Sequence, residues 1–255
     1  MASAIVAVTF ALVTAPRAQN SLDGDSVTEV ADVYHSPQHF AVEFKIGPYT
    51  PSLDAEFGGS ATPYADLFGD SSGLIYEGEF DWQIWHGFGI IGLGISLAYF
   101  GQSAAPFGDD SVGGKPASGE TRVAGETSIT LLPIALLAVY RFDVLANRWH
   151  IPLVPYVKAG LTYTFWWIRK GSGDVASADG SDAAGGNFGW QVNLGLALRL
   201  DILEPNAAKS LDVNAGVNHS YIFFEMKHLA ADDFGSAKAL DVGATTWLAG
   251  LAFEF

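Results

Sequence analysis

The chain has 255 residues, 49% of them hydrophobic and only 16% charged, with a formal net charge of −15. An ordinary soluble domain carries roughly 25% charged residues, and disorder needs low hydrophobicity, so both classes fit poorly with a mean hydropathy of +0.22. Thirteen Lys and Arg are too few for a nucleic-acid partner, whose phosphates need clustered cations, and zero cysteines exclude a disulfide scaffold, a thiolate metal site and a cysteine nucleophile.

Residues 2–15 form an uncharged apolar stretch, too short for a membrane helix of about 20 residues. Followed by small and polar residues, it fits a secretory signal peptide over 1–18. No Lys or Arg precedes it, and Pro16 stands where cleavage after Ala18 prefers a small residue. Residues 19–39 read as a flexible periplasmic arm.

From residue 40 onward the pattern has period two, the signature of strands with one apolar face. In 40–48, Phe40, Val42, Phe44 and Ile46 oppose Ala41, Glu43 and Lys45. A loop over 50–73 follows, with room for a helical turn at Tyr64–Phe68. In 74–84, Leu74, Tyr76, Phe80, Trp82 and Ile84 oppose Glu77, Glu79, Asp81 and Gln83. In 88–101, Ile91, Leu93, Ile95, Leu97 and Tyr99 oppose Gly92, Gly94, Ser96 and Ala98. Segment 127–142 is apolar on both faces, so it reads as a strand of unassigned orientation. In 153–168, Val157, Leu161, Tyr163, Phe165 and Trp167 oppose Lys158, Gly160, Thr162 and Thr164.

The clearest segment is 188–202. Phe188, Trp190, Val192, Leu194, Leu196, Leu198, Leu200 and Ile202 alternate with Gly189, Gln191, Asn193, Gly195, Ala197, Arg199 and Asp201 without exception. At about 3.3 Å per residue this strand is roughly 50 Å long, whereas a tilted strand of about 9–11 residues already crosses a bilayer. Segment 211–226 reads as a strand with Leu211, Val213, Val217, Tyr221 and Phe223 outward and Asp212, Asn214, Asn218 and Ser220 inward. The last segment, 239–255, ends with Trp247, Ala249, Leu251, Phe253 and Phe255 on one face and Thr246 and Glu254 on the other.

Eight strands with glycines and charges on one face, and Leu, Val and aromatics on the other, suit a barrel with lipid outside and a polar interior. Helical spans fit badly. The uncharged stretch 87–108 carries Gly87, Gly89, Gly92, Gly94, Gly101 and Gly108, and Lys158 and Arg199 would lie mid-span elsewhere. The connections alternate long (50–73, 102–126, 169–187, 228–238) and short (85–87, 143–152, 204–210), as extracellular loops and periplasmic turns do. Aromatic girdles are expected outside at Tyr76, Tyr99, Trp167, Trp190 and Phe223, and on the periplasmic side at Phe40, Trp82, Phe88, Tyr140, Phe142, Phe253 and Phe255. The predicted fold is all-β: an eight-stranded antiparallel up-and-down transmembrane barrel over 40–255.

So narrow a barrel fills with side chains. The expected lumen charge network is Glu43, Lys45, Glu77, Glu79, Asp81, Lys158, Arg199, Asp201 and Asp212, with Lys158 and Arg199 as cationic partners for the carboxylates of the second strand. Buried charges must pair or be neutralised, so the leading expectation is a filled lumen. A narrow channel for small solutes or ions is the alternative.

A lipid-modifying enzyme is the third reading, and the chemistry offers it little. His219 and Ser220 are adjacent on one strand and point to opposite faces, so they cannot pair directly. No HExxH, GxSxG or phosphate-binding motif occurs. No catalytic residue, resident metal or cofactor is expected. The outer loops are acidic, as in 108–120 and 171–186. Asp174, Asp179 and Asp182 have loose calcium-ligand spacing without the EF-hand pattern, so divalent cations shared with surface lipopolysaccharide are one expected partner.

Several motifs together carry a family resemblance: FKIGPYTPSLDAEF (44–57), YADLFGD (64–70), EFDWQ (79–83), LLPIALLAVYRFD (131–143), RWHIPLVPYVKAGL (148–161), GVNHSYIFFE (216–225) and TTWLAGLAFEF (245–255). In this order, over roughly 40–255, the chain resembles an outer-membrane β-barrel family found mainly in myxobacteria and their relatives. That resemblance implies the outer membrane of a Gram-negative bacterium and no established activity. The C-terminal Phe255 resembles the signal read by the outer-membrane barrel-assembly machinery. The expected role is structural or surface-interacting, with membrane lipid and lipopolysaccharide as surroundings.

Overall fold

The structure is a computed structural model that describes residues 38–69, 72–105, 126–178, 181–236 and 239–255. The signal segment, nearly all of the arm, Asp179 and loop 108–120 lie outside the described residues. Eight strands run β1 (Phe40–Tyr49), β2 (Gly73–Gly87), β3 (Gly89–Ala104), β4 (Thr127–Arg141), β5 (Leu153–Arg169), β6 (Ala184–Arg199), β7 (His219–Ala230) and β8 (Ala244–Glu254). Each pairs antiparallel with its neighbours in sequence, and β1 pairs with β8 to close the barrel. The register at closure runs from Ala41 opposite Glu254 to Ile46 opposite Ala249. The chain end tightens the seam: the Phe255 N–H donates to Phe40 O at 2.8 Å, and Phe255 O accepts from the N–H groups of His39 (2.7 Å) and Phe40 (3.0 Å).

Alternation sorts the side chains into two surfaces. One large apolar residue of every strand stands exposed on the outside: Phe44, Phe80, Leu93, Leu136, Leu161, Leu194, Phe224 and Leu251. Leu136 and Leu161 are 67% and 64% exposed, while Lys158, three residues before Leu161, is 0%. Soluble monomers rarely expose apolar patches beyond roughly 300–600 Å², and this belt encircles the molecule. No helix among the described residues is long and apolar enough to cross a membrane; the strands do so. In β4 the inward set is Ile129, Leu131, Ala135, Leu137, Val139 and Arg141, which settles the face that the apolar sequence left unassigned.

Three expectations are corrected. The segment read as the start of the seventh strand is a helix. After a 3-10 turn (Ser52–Phe57), α1 (Pro63–Phe68) and α2 (Val144–Trp149), α3 covers Pro205–Ala215 and β7 begins only at His219. Pro205 is preorganised for the first helical turn, Ala208, Leu211 and Ala215 recur at spacings of three and four, and Gly216 ends the helix at a left-handed φ of 69°. The alternating Leu211 and Val213 belong to that helix.

The faces of β7 are also reversed. Tyr221 and Phe223 are buried inside, and Ile222 and Phe224 are the exposed pair. Glu225 and Lys227 share the parity of Tyr221 and Phe223, and charge decides which face avoids lipid. Finally, the strict long–short alternation fails. With the barrel ends named as the sequence orients them, the periplasmic connection 200–218, which holds α3, is longer than the extracellular connections 170–183 and 231–243. The helical turn expected at Tyr64–Phe68 is α1, with Tyr64 buried. The connection between β5 and β6 adds a small hairpin, Ser177–Ala178 pairing with Ser181–Asp182.

Closure depends on close backbone approach at Gly250. A Cβ there would lie 2.2 Å from the Phe44 carbonyl oxygen and 2.5 Å from the Phe223 ring. At Gly78 nothing lies within 4 Å of the same atom. Overpacking costs about 1–3 kcal/mol or more. Gly250→Val is therefore expected to weaken or abolish the folded, fast-migrating band seen before boiling in gel electrophoresis, while Gly78→Ala keeps it. Equal behaviour of the two variants would contradict the tight seam.

Candidate functional site

The lumen divides along the barrel axis. Its outer part is apolar. Tyr49, Ile75, Phe100, Ile129, Leu131, Leu229 and Leu248 converge there with Leu53 of the 3-10 turn, Tyr64 of α1 and Val242 of the last loop. Tyr49 donates to Val242 O at 2.6 Å, tying the loop down onto the seal. A polar, side-chain-filled interior was expected, so this apolar seal is a correction. It arises because inward positions near the outer strand ends carry Ile, Leu and Phe.

Below the seal lies a dense charge network. Lys45 Nζ lies 2.6 Å from Glu79, 3.0 Å from Glu225, 3.3 Å from Glu77 and 3.4 Å from Glu43. Lys158 Nζ lies 2.6 Å from Glu43, contacts Glu79, and is 4.0 Å from Asp81. Arg141 contacts Glu43, lies 2.6 Å from Asp81 and 3.1 Å from Glu254. Lys227 pairs with Glu77 at 2.5 Å. Neutral groups satisfy some of the remaining oxygens: Tyr156 donates to Glu225 at 2.9 Å, Asn193 to Glu225 at 3.0 Å, Tyr221 to Glu254 at 2.7 Å and Gln83 to Glu254 at 2.9 Å. All these charged side chains are buried.

Of the expected lumen residues, Glu43, Lys45, Glu77, Glu79, Asp81 and Lys158 meet in this network. Arg199 faces inward but reaches no carboxylate of β2. It donates to Asn147 of α2 at 2.8 Å and to Tyr221 at 3.2 Å, near the periplasmic end. Asp201 lies beyond β6, which ends at Arg199, and Asp212 sits on α3, so neither is in the lumen. Arg141, Glu225, Lys227 and Glu254 belong to the network and were missed. The charges of Glu225 and Lys227 on the odd-numbered face of β7 would have found them and turned that face inward, while Glu254 already lay opposite the apolar face of its strand and Arg141 is the charge that marks the inward face of β4.

Of the expected girdle residues, Tyr76 and Tyr99 are cross-strand partners and both exposed. Trp190, Trp82 and Phe88 are exposed; Trp167, Phe253 and Phe255 are half-buried. The outer four of these lie toward the extracellular strand ends, and Trp82, Phe88, Phe253 and Phe255 toward the periplasmic ends. Phe223 is the exception, since it packs inside against Tyr156 with ring centroids 6.1 Å apart. Trp247, stacked on Phe224 at 5.1 Å, faces lipid.

Three arrangements could suggest chemistry. Oxygens of Glu43, Glu79 and Asp81 lie within 4.8 Å of one another, a grouping able to hold a metal. The Lys158 ammonium lies against all three, in the place a cation would take. At the periplasmic rim Asp201 accepts from His219 Nδ1 at 2.6 Å and from Ser220 Oγ at 3.1 Å. The carboxylate is central here, so the hydroxyl points at Asp201 and not at an imidazole base; nucleophile activation needs the reverse order. His228 Nδ1 lies 2.7 Å from Thr245 Oγ1, but among the described residues no carboxylate is hydrogen-bonded to that ring.

The closed eight-strand pairing, the encircling apolar belt and the buried charged interior define an outer-membrane β-barrel protein. No family model matches the chain, and no curated protein matches it. Among solved structures, the chain is similar to Neisserial surface protein A (NspA), with a TM-score of 0.46, 14% identity, and coverage of 86% of this chain and 97% of that one. It is also similar to Ail, the attachment invasion locus protein of Yersinia pestis, with a TM-score of 0.41, 11% identity, and coverage of 86% and 97%.

Two outcomes follow from these contacts. Lys158→Met removes the nearest cation of Glu79 and one of the three cations around Glu43. Removing one partner of a buried ion pair costs about 3–5 kcal/mol, so the urea midpoint in micelles should fall, and adding Glu79→Gln should restore part of it. No recovery in the double variant would contradict the pairing.

The second outcome is pH dependence at the rim. Burial pushes the Asp201 carboxyl up, but hydrogen bonds from His219, Ser220 N and Ser220 Oγ bring it below the ordinary value. Its contribution is therefore present above the ordinary carboxylate range and lost as pH falls through its lowered folded value. Hydrogen exchange at the Ser220 amide, corrected for intrinsic rates, should lose protection at acid pH. Asp201→Asn should show that loss already at neutral pH.

Proposed function

We propose that this protein is a non-enzymatic barrel of the Gram-negative outer membrane, with a structural or surface-interacting role. The observation that carries the reading is the filled lumen: an apolar seal outside and an interlocked ion-pair network beneath it. A barrel closed at both levels serves as a rigid base for its extracellular connections. It is poorly suited to passing solutes, so the narrow-channel reading loses its main support.

In this reading the lipid-facing belt sits in the outer membrane among lipopolysaccharide. The strand ending at Phe255 is the part presented to the barrel-assembly machinery. The acidic extracellular connections are the surfaces open to divalent cations or a partner. The resemblance to the myxobacterial-type barrel family fits this assignment and adds no activity to it.

Reconstitution of the purified protein in a planar bilayer tests the reading. No steady single-channel conductance is expected at neutral pH in either polarity. Reproducible unitary steps from the folded, heat-modifiable protein would overturn the closed lumen and favour a channel.

A further inference from the structure

The extracellular mouth holds a cavity of about 200 Å³ above the apolar seal. Its floor is formed by Ile129 and Ile168, which face each other across the β4–β5 register. Its roof is α1 and the 3-10 turn, through Leu53, Pro63, Leu67 and Phe68, and Leu240 of the last connection closes one side.

Several polar groups beside this cavity are engaged within the protein. Tyr64 Oη donates to Gln102. The N–H groups of Tyr64 and Ala65 donate to the two oxygens of Asp54, at 2.7 and 3.0 Å. Of the lining residues only Thr127 and Tyr64 carry a side-chain hydroxyl. The lining thus offers a guest contact area and almost no hydrogen bonding. A charged or amide-bearing guest would leave its polar groups unpaired, at a large cost.

We propose that this cavity is a binding site for a single short hydrocarbon segment, such as the end of an acyl chain. The volume sets the size. An engineered cavity of roughly 150 Å³ lined by Leu, Ile and Phe stays dry and takes up benzene, so about 200 Å³ suits one ring or a short alkyl chain and excludes a whole lipid. Because the seal of Ile129, Leu131 and Phe100 lies directly below, the guest enters from the outer side and is held there. The site does not depend on whether the lumen conducts. Referred to free alkane in water, each methylene buried should raise affinity roughly fourfold until the cavity is full, after which longer chains gain nothing.

The test uses the full barrel in lipid nanodiscs with methyl groups of Ile and Leu labelled for NMR, titrated with n-alkanes of increasing length. The methyls of Ile129, Ile168 and Leu240 are expected to shift saturably, while lipid-facing Leu136 and Leu161 follow non-saturable partitioning into the bilayer. Leu67→Trp fills the cavity and should weaken the saturable shift by more than roughly tenfold, with heat-modifiable migration retained. Should that variant fail to fold, Leu240→Trp fills the same space from another element. Shifts that are linear and alike at Ile129 and Leu136 would overturn the site. So would shifts that are absent from the full chain and appear only on deletion of 108–120, since the chain itself would then be the occupant. Alkanoic acids compared with alkanes distinguish an acyl end bearing its headgroup outside from a free hydrocarbon: equal chain-length dependence supports the acyl source, and loss of binding by the acids restricts the site to hydrocarbon alone.

Discussion

Everything in this molecule follows from the pairing of β1 with β8. In hydrocarbon an unpaired strand edge leaves N–H and C=O groups without partners, at several kcal/mol each. The seam from Ala41–Glu254 to Ile46–Ala249, extended by the Phe255 contacts, removes that edge. Closure at eight strands also fixes a narrow interior. Every second residue must then share a space only a few side chains wide. Gly250 at the seam and Gly94 beside Asp81 are small because the interior leaves no room: a Cβ at Gly94 would lie 2.4 Å from an Asp81 oxygen.

Within that space the ion pairs lock strands together. Lys45 of β1 reaches Glu77 and Glu79 of β2 and Glu225 of β7, and Lys158 of β5 reaches Glu43 of β1 and Glu79 of β2. Arg141 of β4 reaches β1, β2 and β8 through Glu43, Asp81 and Glu254. Buried ion pairs are weak evidence for net stability, because desolvation offsets the attraction. Their stronger effect here is on register. A slip of one residue would turn a strand's charges to lipid and its leucines inward, and Lys45, Lys158 and Arg141 each bind several strands to one alignment.

Much of this was legible in the sequence, and the parts that were not have specific causes. The face assignments of β1, β2, β3, β5 and β6 follow from alternation because charges or glycines mark one face. In β4 both faces are apolar, since its inward residues Ile129, Leu131 and Leu137 build the outer seal and lining; Arg141 at its end was the one marker. In β7 the bulk of Tyr221 and Phe223 pointed outward while Glu225 and Lys227 pointed them in, and charge is the stronger term in lipid. Two apolar residues at spacing two cannot distinguish a strand from α3. Which cation meets which carboxylate is a property of closure, as with Lys45 and Glu225, which are 180 residues apart.

The acidity of the chain also takes on a structural meaning. Six carboxylates sit in the lumen against Lys45, Lys158, Arg141 and Lys227. Outside the barrel, several more hold backbone in place. Asp54 accepts the first N–H groups of α1, Asp233 accepts Phe188 N–H at 2.6 Å, and Glu56 accepts Asp241 N–H. Asp241 itself accepts Gly243 N–H at 2.9 Å, although burial, Asp232 and Glu56 together raise its carboxyl above the ordinary value. Short connections that must turn without regular hydrogen bonding use carboxylates as acceptors for otherwise unpaired donors. A negative outer surface is therefore in part the by-product of fastening loops onto a sealed barrel, and surface charge alone does not identify what that surface meets.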